Sequence, residues 1–348
     1  MYKKVLLKFS LFIFIFGLIT CLPMIANANE QTTTIQRLSV EDALANPEIY
    51  NVMLENDEID ELIEAQNSIR DSFYHDVAMY ISESKTDDVS PIDVEQICKK
   101  YGLNLPNEND NGIINEGTIY VQRNANRDIV DVWYIYYSVS DTGFSVNAAL
   151  VDVDNPLDSV SGTMYLYKLN NESWSLSSSK PFSANTVRNG TIYKWSKSKD
   201  AVKEKFEYST TVIDNGGTHN YDNSGEDDYF RYNFVAGPYG SLYAKGGQRH
   251  HFIPAYSLNN NGFDSSTAYC IRMMTADHKK TASYGSPSHV ATITSLLASN
   301  RYEDAIQTEV DSLQTKPDTD GIYDSLADKY VYEIIDCIYA YELLFGII

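Results

Sequence analysis

The chain has 348 residues and carries 48 acidic against 27 basic side chains, a formal charge of −21. That acidity argues against a protein that coats nucleic acid through bulk charge and for a soluble, self-repelling molecule. The length suggests two or three domains, and the absence of any Cys-x-x-Cys argues against a cysteine-built zinc site.

At the N-terminus, Lys3, Lys4 and Lys8 precede an apolar run from Phe9 to Ile19, and Ala26-Asn27-Ala28 offers small residues to a signal peptidase. The pattern predicts a secretory signal over 1–28, too short in its core for a comfortable membrane span. The expected product is exported to the extracellular side, with no stable membrane insertion after cleavage. An uncleaved anchor is one rival reading. A lipoprotein at Cys21 is the other, weakened by Thr20 before the cysteine. Removing the three lysines leaves −24 on the remainder. Export permits disulfides, but Cys98, Cys270 and Cys337 are an odd number, and Cys270 with Cys337 is the pairing to consider first.

Residues 29–116 read as a helical region after a loose polar leader over 30–38. Ser39 can cap a helical pattern that carries Leu54, Ile59, Leu62 and Ile63 toward Lys85. Ser90-Pro91 opens another helix that ends near Gly102. Asn107 to Gly112 brushes against a calcium-loop pattern, but its twelfth position is Thr118 where that loop needs Glu, so a polar turn is expected.

From Thr118 the period changes to two. Strands are predicted at Val130–Tyr137, Phe144–Val153, Gly162–Leu169, Thr191–Trp195 and Phe206–Ile213, separated by Asp/Asn/Gly turns. Residues 117–235 are therefore expected to form an antiparallel β-sandwich of immunoglobulin-like kind. Asn220 to Asp228 reads as an acidic linker or exposed loop, and His75 and His219 as ordinary histidines.

Residues 236–348 differ again. Those up to 290 carry +3, with Lys245, Arg249, Arg272, Lys279 and Lys280 against Asp264 and Asp277; those from 291 carry −8. Ser286-Pro287 starts a helix to about Leu297, Asn300 with Glu303 caps a second, and the apolar stretch from Tyr323 forms a third with Tyr330, Ile334, Ile335 and Ile338 on one face. The fold class expected for the whole is multidomain: a helical N-terminal segment, a sandwich, and a C-terminal α+β domain with a helical tail.

Four of the six histidines, His250, His251, His278 and His289, fall on the basic island. Adjacent histidines on a strand point to opposite faces, so one can ligate a metal while its neighbour meets a substrate. The strand over Ala268–Met273 then returns Asp277-His278 to the same place. Phosphodiester hydrolysis needs a metal to neutralise charge on the phosphate and a base that titrates near neutrality. Arg249, Arg272 or Lys279 can hold the phosphate backbone. His289, beyond this group at a helix start, reads as a surface residue.

Arg249-His250-His251-x-Ile253-Pro254, the strand with Ile271-Arg272-Met273, and Asp277-His278-x-x-Thr281-Ala282-Ser283-Tyr284-Gly285-Ser286 together resemble the C-terminal HNH-like (His-Me finger) nuclease domains of bacterial polymorphic toxins. The likeness runs on through Asn300 to Ala305, Asp311 and Lys329-Tyr330, about a third of the chain after the signal. The resemblance implies a ββα-metal-like domain that cleaves nucleic acid with a divalent ion (Mg, Mn or Zn) and has a cognate immunity protein as a possible partner. It implies that His250 and His278 are metal ligands, with Asp277 a third ligand or an orienter. His251 is the implied general base, the roles of His250 and His251 being exchangeable. Thr281 and Ser283 are implied supporting groups. The competing class is a secreted surface-binding protein whose sandwich acts and whose histidine cluster is vestigial.

Overall fold

The computed structural model describes residues 34–55, 91–105, 118–139, 143–152, 157–187, 191–214, 217–222 and 230–348. The segment 1–28 expected to be a signal, the helical pattern expected over 56–85 with His75, the turn expected at 107–112 and the acidic stretch from 223 lie outside the described residues. Among the described residues no helix is long and apolar enough to cross a membrane.

The protein is rich in antiparallel sheet. One sheet runs β1 (Thr34–Ser39), β2 (Thr118–Arg123), β3 (Ile129–Val139), β4 (Gly143–Asp152) and β7 (Thr191–Ser196), each paired with the next. The other has the order β10 (Phe230–Tyr232), β8 (Lys203–Asp214), β5 (Leu157–Asn170), β6 (Ser173–Val187), with β9 (Gly217–Asp222) also paired to β8. From Glu204 onward β8 alternates, burying Glu204, Phe206, Tyr208, Thr210, Val212 and Asp214, as a strand with one covered face must. Trp133, Ile135, Tyr137, Phe144 and Val146 of the first sheet meet Val160, Met164, Phe206, Tyr208 and Val212 of the second in one core. The rings of Phe144 and Phe206 stack across it at 4.6 Å.

The immunoglobulin expectation is not met in its topology. The first four strands stay in one sheet and the chain then crosses between the sheets at β4–β5, β6–β7 and β7–β8, whereas in the immunoglobulin order the third strand already lies in the opposite sheet. β6 and β9 escaped the sequence reading. β6 is an edge strand with mostly exposed Ser, Lys and Pro side chains, and a proline such as Pro181 is tolerated in such a strand.

The region expected to be a helical segment divides in two. β1 is a strand, not a loose leader, and helices α1 (Val40–Ala45) and α2 (Pro47–Glu55) follow it. The Ser39 cap is present, its hydroxyl accepting from the Asp42 amide at 3.0 Å. Ala43 and Ile49 pack on Ile119, Val121 and Val132 beneath the first sheet. Helix α3 (Pro91–Tyr101) goes elsewhere: Ile97, Cys98, Tyr101 and Leu103 enter the core of the C-terminal unit.

That unit has a three-stranded sheet, β11 (Val235–Pro238), β13 (Tyr269–Met273) and β12 (Gln248–His251), in the order β11-β13-β12. Around it lie α4 (Ala255–Asn260), α5 (Thr275–His278), α6 (Pro287–Ala298), α7 (Tyr302–Gln314), α8 (Leu326–Lys329) and α9 (Val331–Leu344). The boundary expected at 235/236 therefore cuts a strand. Ser286 caps α6 by accepting from the His289 amide. Asn300 is not the cap of α7; Arg301 holds that position without a side-chain hydrogen bond. Cys98, Cys270 and Cys337 are all buried free thiols, so the Cys270–Cys337 pairing is not made.

Candidate functional site

The order β12, β13, α5 brings the histidines together. His250 pairs with Ile271 and His251 with Cys270 in the ladder, so the two imidazoles leave opposite faces of β12. His250 is 2% exposed. Its ring meets that of His278, at the end of α5, edge to face with centroids 5.4 Å apart. His278 in turn meets the exposed ring of Tyr284 at 5.2 Å. The Nε2 atom of His250 has no hydrogen-bond partner. Burial, aided by His278 beside it, holds His250 down at about 3, and burial lowers His278 as well. Both imidazoles are thereby kept neutral, the form that binds a metal.

Among the described residues no three His, Cys, Asp or Glu side chains gather as a metal cage. The donor set is this imidazole pair, and the unsatisfied Nε2 of His250 is the feature that fits a ligating group. A buried polar atom left without a partner costs about 1–3 kcal/mol, which a bound ion would relieve.

Asp277 does not complete the set. It is fully buried, and one carboxylate oxygen accepts from the Thr319 amide and hydroxyl while the other accepts from the Tyr330 hydroxyl at 2.7 Å. Lys329, also fully buried, lies 2.8 Å from that second oxygen. Both oxygens are thus spent on holding α5, and the expectation of a ligand is replaced by that of an orienter of His278. Lys329 also contacts Asp318 at 2.5 Å and Asp320 at 2.8 Å, while Lys203 of β8 reaches Asp320 at 3.1 Å. Lys329-Tyr330, seen in sequence only as part of the resemblance, hold Asp277 together with Thr319.

His251 does not join the pair. Its Nε2 donates to the Ser265 carbonyl at 3.0 Å and its ring lies on Tyr239 at 4.3 Å; burial depresses its basicity, and the Arg249 guanidinium adds to this. The cations expected to hold phosphate are also engaged. Arg272 is buried and donates to the Tyr243 carbonyl at 2.6 Å and to Asn233, so it braces the sheet and does not meet solvent. Arg249 covers the Tyr239 ring at 3.9 Å and donates to the carbonyl and hydroxyl of that residue. Lys279 is exposed but paired with Glu172 of the β5–β6 turn at 2.9 Å. Thr281 donates to the His278 carbonyl at 2.9 Å and stands 3.4 Å from the Ser283 hydroxyl, so both belong to the turn that follows His278.

His289 is not a free surface residue. Its Nε2 lies 2.9 Å from an oxygen of Glu309, a carboxylate 1% exposed. The pair escaped notice, although one signal was present. Glu309 falls on the apolar face of α7, among Ala305, Ile306, Val310 and Leu313, and an acid there needs a partner.

No known protein family matches the chain, and no characterised protein or solved structure does.

Proposed function

We propose that the C-terminal unit is a metal-dependent endonuclease of the HNH-like kind, carried on an exported, toxin-like protein. The observation behind it is the unpartnered Nε2 of His250 beside His278, on successive β, β and α elements of a unit whose motif resembles those nucleases. His250 and His278 would hold a divalent ion, which when bound supplies positive charge for the phosphate and acidifies water. Asp277, gripped by Lys329 and Tyr330, fixes the turn that presents His278. Protein harvested from culture medium, with its N-terminus expected near Asn29, should nick plasmid or RNA in added Mg²⁺, Mn²⁺ or Zn²⁺ and stop in EDTA. His278→Ala should weaken metal binding and recover part of its activity at high metal. Absence of cleavage with every ion and both nucleic acids would sink the assignment.

A second reading, a surface-binding protein with a vestigial site, is favoured by one observation: Arg249, Arg272 and Lys279 are all engaged within the chain. The same cleavage assay separates the two.

A further inference from the structure

Phosphate is usually gripped by lysine and arginine, and most of the five cations of the basic island are engaged within the chain. Lys245 donates to the Lys199 carbonyl at 2.9 Å. Arg249 is spent on Tyr239, and Arg272 on Tyr243 and Asn233. Lys279 is paired at the surface with Glu172. Lys280 is exposed and makes none of these bonds among the described residues. Duplex DNA carries one charge for about every 1.7 Å of its axis, and a protein that binds it through the backbone meets that charge with several cations at once. A chain of charge −21 with so few cations to spare beside the histidine pair offers a double helix little.

What adjoins the pair is an aromatic ring. Successive tight turns carry the backbone from Asp277 to Tyr284. The Lys280 amide donates to the Asp277 carbonyl at 2.8 Å, the Thr281 amide to that of His278 at 3.2 Å, and the Tyr284 amide to that of Thr281 at 3.2 Å. Gly285, with a φ of +78°, then leads into the Ser286 cap of α6. Local backbone bonds therefore set Tyr284 with respect to His278, and the two rings meet edge to face at 5.2 Å. The residue is nonetheless 53% exposed. Part of the ring lies against the imidazole and the rest meets solvent, where a nucleobase can lie on it, since every base has a π-face.

We propose that Tyr284 is a stacking platform for an unpaired base, and that the site takes single-stranded DNA or RNA in preference to a duplex. The inference rests on the nuclease reading and names its substrate class. A base within a duplex is covered on both faces by its neighbours and reaches a tyrosine only by leaving the stack, at the cost of its pairing and stacking. An unpaired base carries no such cost. Because the ring touches His278, a nucleotide seated on it is held beside the imidazole pair. Affinity then comes mainly from the ring and little from charge. The slope of log affinity against log salt is about −0.7 for each phosphate of a single strand that a cation meets, so it should stay shallower than about −2.

The test uses the full-length protein in EDTA and follows the fluorescence anisotropy of labelled DNA and RNA strands of about ten nucleotides, a length within the usual site size. The DNA strand annealed to its complement is the duplex arm. Wild type should bind both single strands at least about tenfold more tightly than the duplex. Tyr284→Ala and Tyr284→Leu should weaken single-strand binding by about 5- to 150-fold, the range for losing one base–aromatic stack. Tyr284→Phe and Tyr284→Trp should stay within a few-fold of wild type, as should Tyr50→Ala, a control on the exposed Tyr50 of α2. Leucine keeps apolar bulk against His278 but offers no ring, so Mn²⁺ binding followed by calorimetry should not change in Tyr284→Leu. With the ion that best supports cleavage, single-stranded circular DNA should be cut faster than its relaxed duplex form, and Tyr284→Leu should lose that advantage mainly through KM. If wild type cleaves but binds and cuts both forms alike, or if Tyr284→Leu matches it on the single strand, the ring only packs on His278 and the inference is overturned while the nuclease reading stands. Tyr284→Phe failing as badly as Tyr284→Ala would also overturn it. Single-strand binding through Tyr284 without cleavage in any ion would sink the nuclease reading and leave the stacking site. A wild type that neither binds nor cleaves any of these nucleic acids removes both.

Discussion

Lys329 is the residue whose environment constrains it most. Its ammonium is fully buried and faces Asp277, Asp318 and Asp320, and these carboxylates, Asp277 foremost, raise its affinity for the proton against the cost of burial. Removing one partner of a buried ion pair typically costs about 3–5 kcal/mol, because the remaining charge is stranded. Lys329→Met should therefore lower Tm by about 10 °C or more, and Asp277→Asn added to it should recover part of the loss. The sign with pH follows from the carboxylates. In wild type the Asp320 carboxyl is held below its ordinary value, with Lys329 the leading lowering influence against burial. Stability from such a group is present above the unfolded value and lost as pH falls through the folded one. In Lys329→Met the stranded carboxylates instead gain from protonation, so its deficit against wild type should shrink as pH falls toward 4. A thermal melt series over pH 4–8 checks both signs. A deficit that widens on acidification would show that Lys329 does not neutralise these acids.

Among the elements, α9 contributes more buried residues to the C-terminal core than any other and also carries one misplaced charge. Tyr330 just before it, with Ile334, Ile335 and Ile338 within it, is buried as the helical spacing predicts. Asp336, between Ile335 and Cys337, is pushed by burial up to about 7 from an ordinary 3.8. The folded chain therefore holds a proton there that the unfolded chain has already released. The associated stability is complete below pH 3.8 and is lost as pH rises through about 7. Asp336→Asn cannot ionise, so its stability relative to wild type should improve between pH 5 and pH 8 by about 2–3 kcal/mol, several degrees in Tm. Comparing the same variant at two pH values separates the titration from any change in packing. An unchanged difference between the two pH values would mean that Asp336 is hydrated in the native state.

At the scale of the whole molecule, the Gly246-Gly247 pair, shortly beyond the boundary expected at 235/236, is a point of close packing. Gly246 has a φ of +83°, and a Cβ on Gly247 would fall 2.3 Å from the Met273 carbonyl and 3.0 Å from Val202. The amides of Asn171 and Val202, in the sheet-rich part, donate to the carbonyls of Gly246 and Lys245, both at 2.9 Å. With the Lys203–Asp320 and Lys279–Glu172 pairs, these contacts tie the two parts together. The C-terminal core further depends on α3, from the other end of the chain. Tyr101 donates to Glu342 at 2.8 Å, Lys100 reaches Glu342 at 2.7 Å, and the Tyr101 and Gly102 carbonyls accept from Gln307 and Gln314. A fragment starting at residue 230 should consequently expose the α3 site and melt without cooperativity. A peptide spanning 91–105 added to it should restore a cooperative transition. A fragment that melts sharply by itself would show that α3 is an accessory to that core.

Local rules carried much of the architecture. Period-two patterning located five strands because a strand with one covered face must alternate, and the Ser39 and Ser286 caps and the apolar face of α9 depend on neighbours three or four residues away. The motif also located His250 and His278 together, since a β, β, α succession has few ways to close. What required the tertiary structure was every pairing between distant segments. α3 has the pattern of an ordinary amphipathic helix, and nothing local says that its partner lies more than 200 residues on. The face on which each of two adjacent histidines emerges depends on which side of β12 the helices cover, so His250 and His251 could not be told apart beforehand. Asp277 has the chemistry of a ligand, and only the approach of Thr319, Lys329 and Tyr330 spends both of its oxygens. His289 and Glu309, twenty residues apart on different helices, become a pair only when α6 packs against α7.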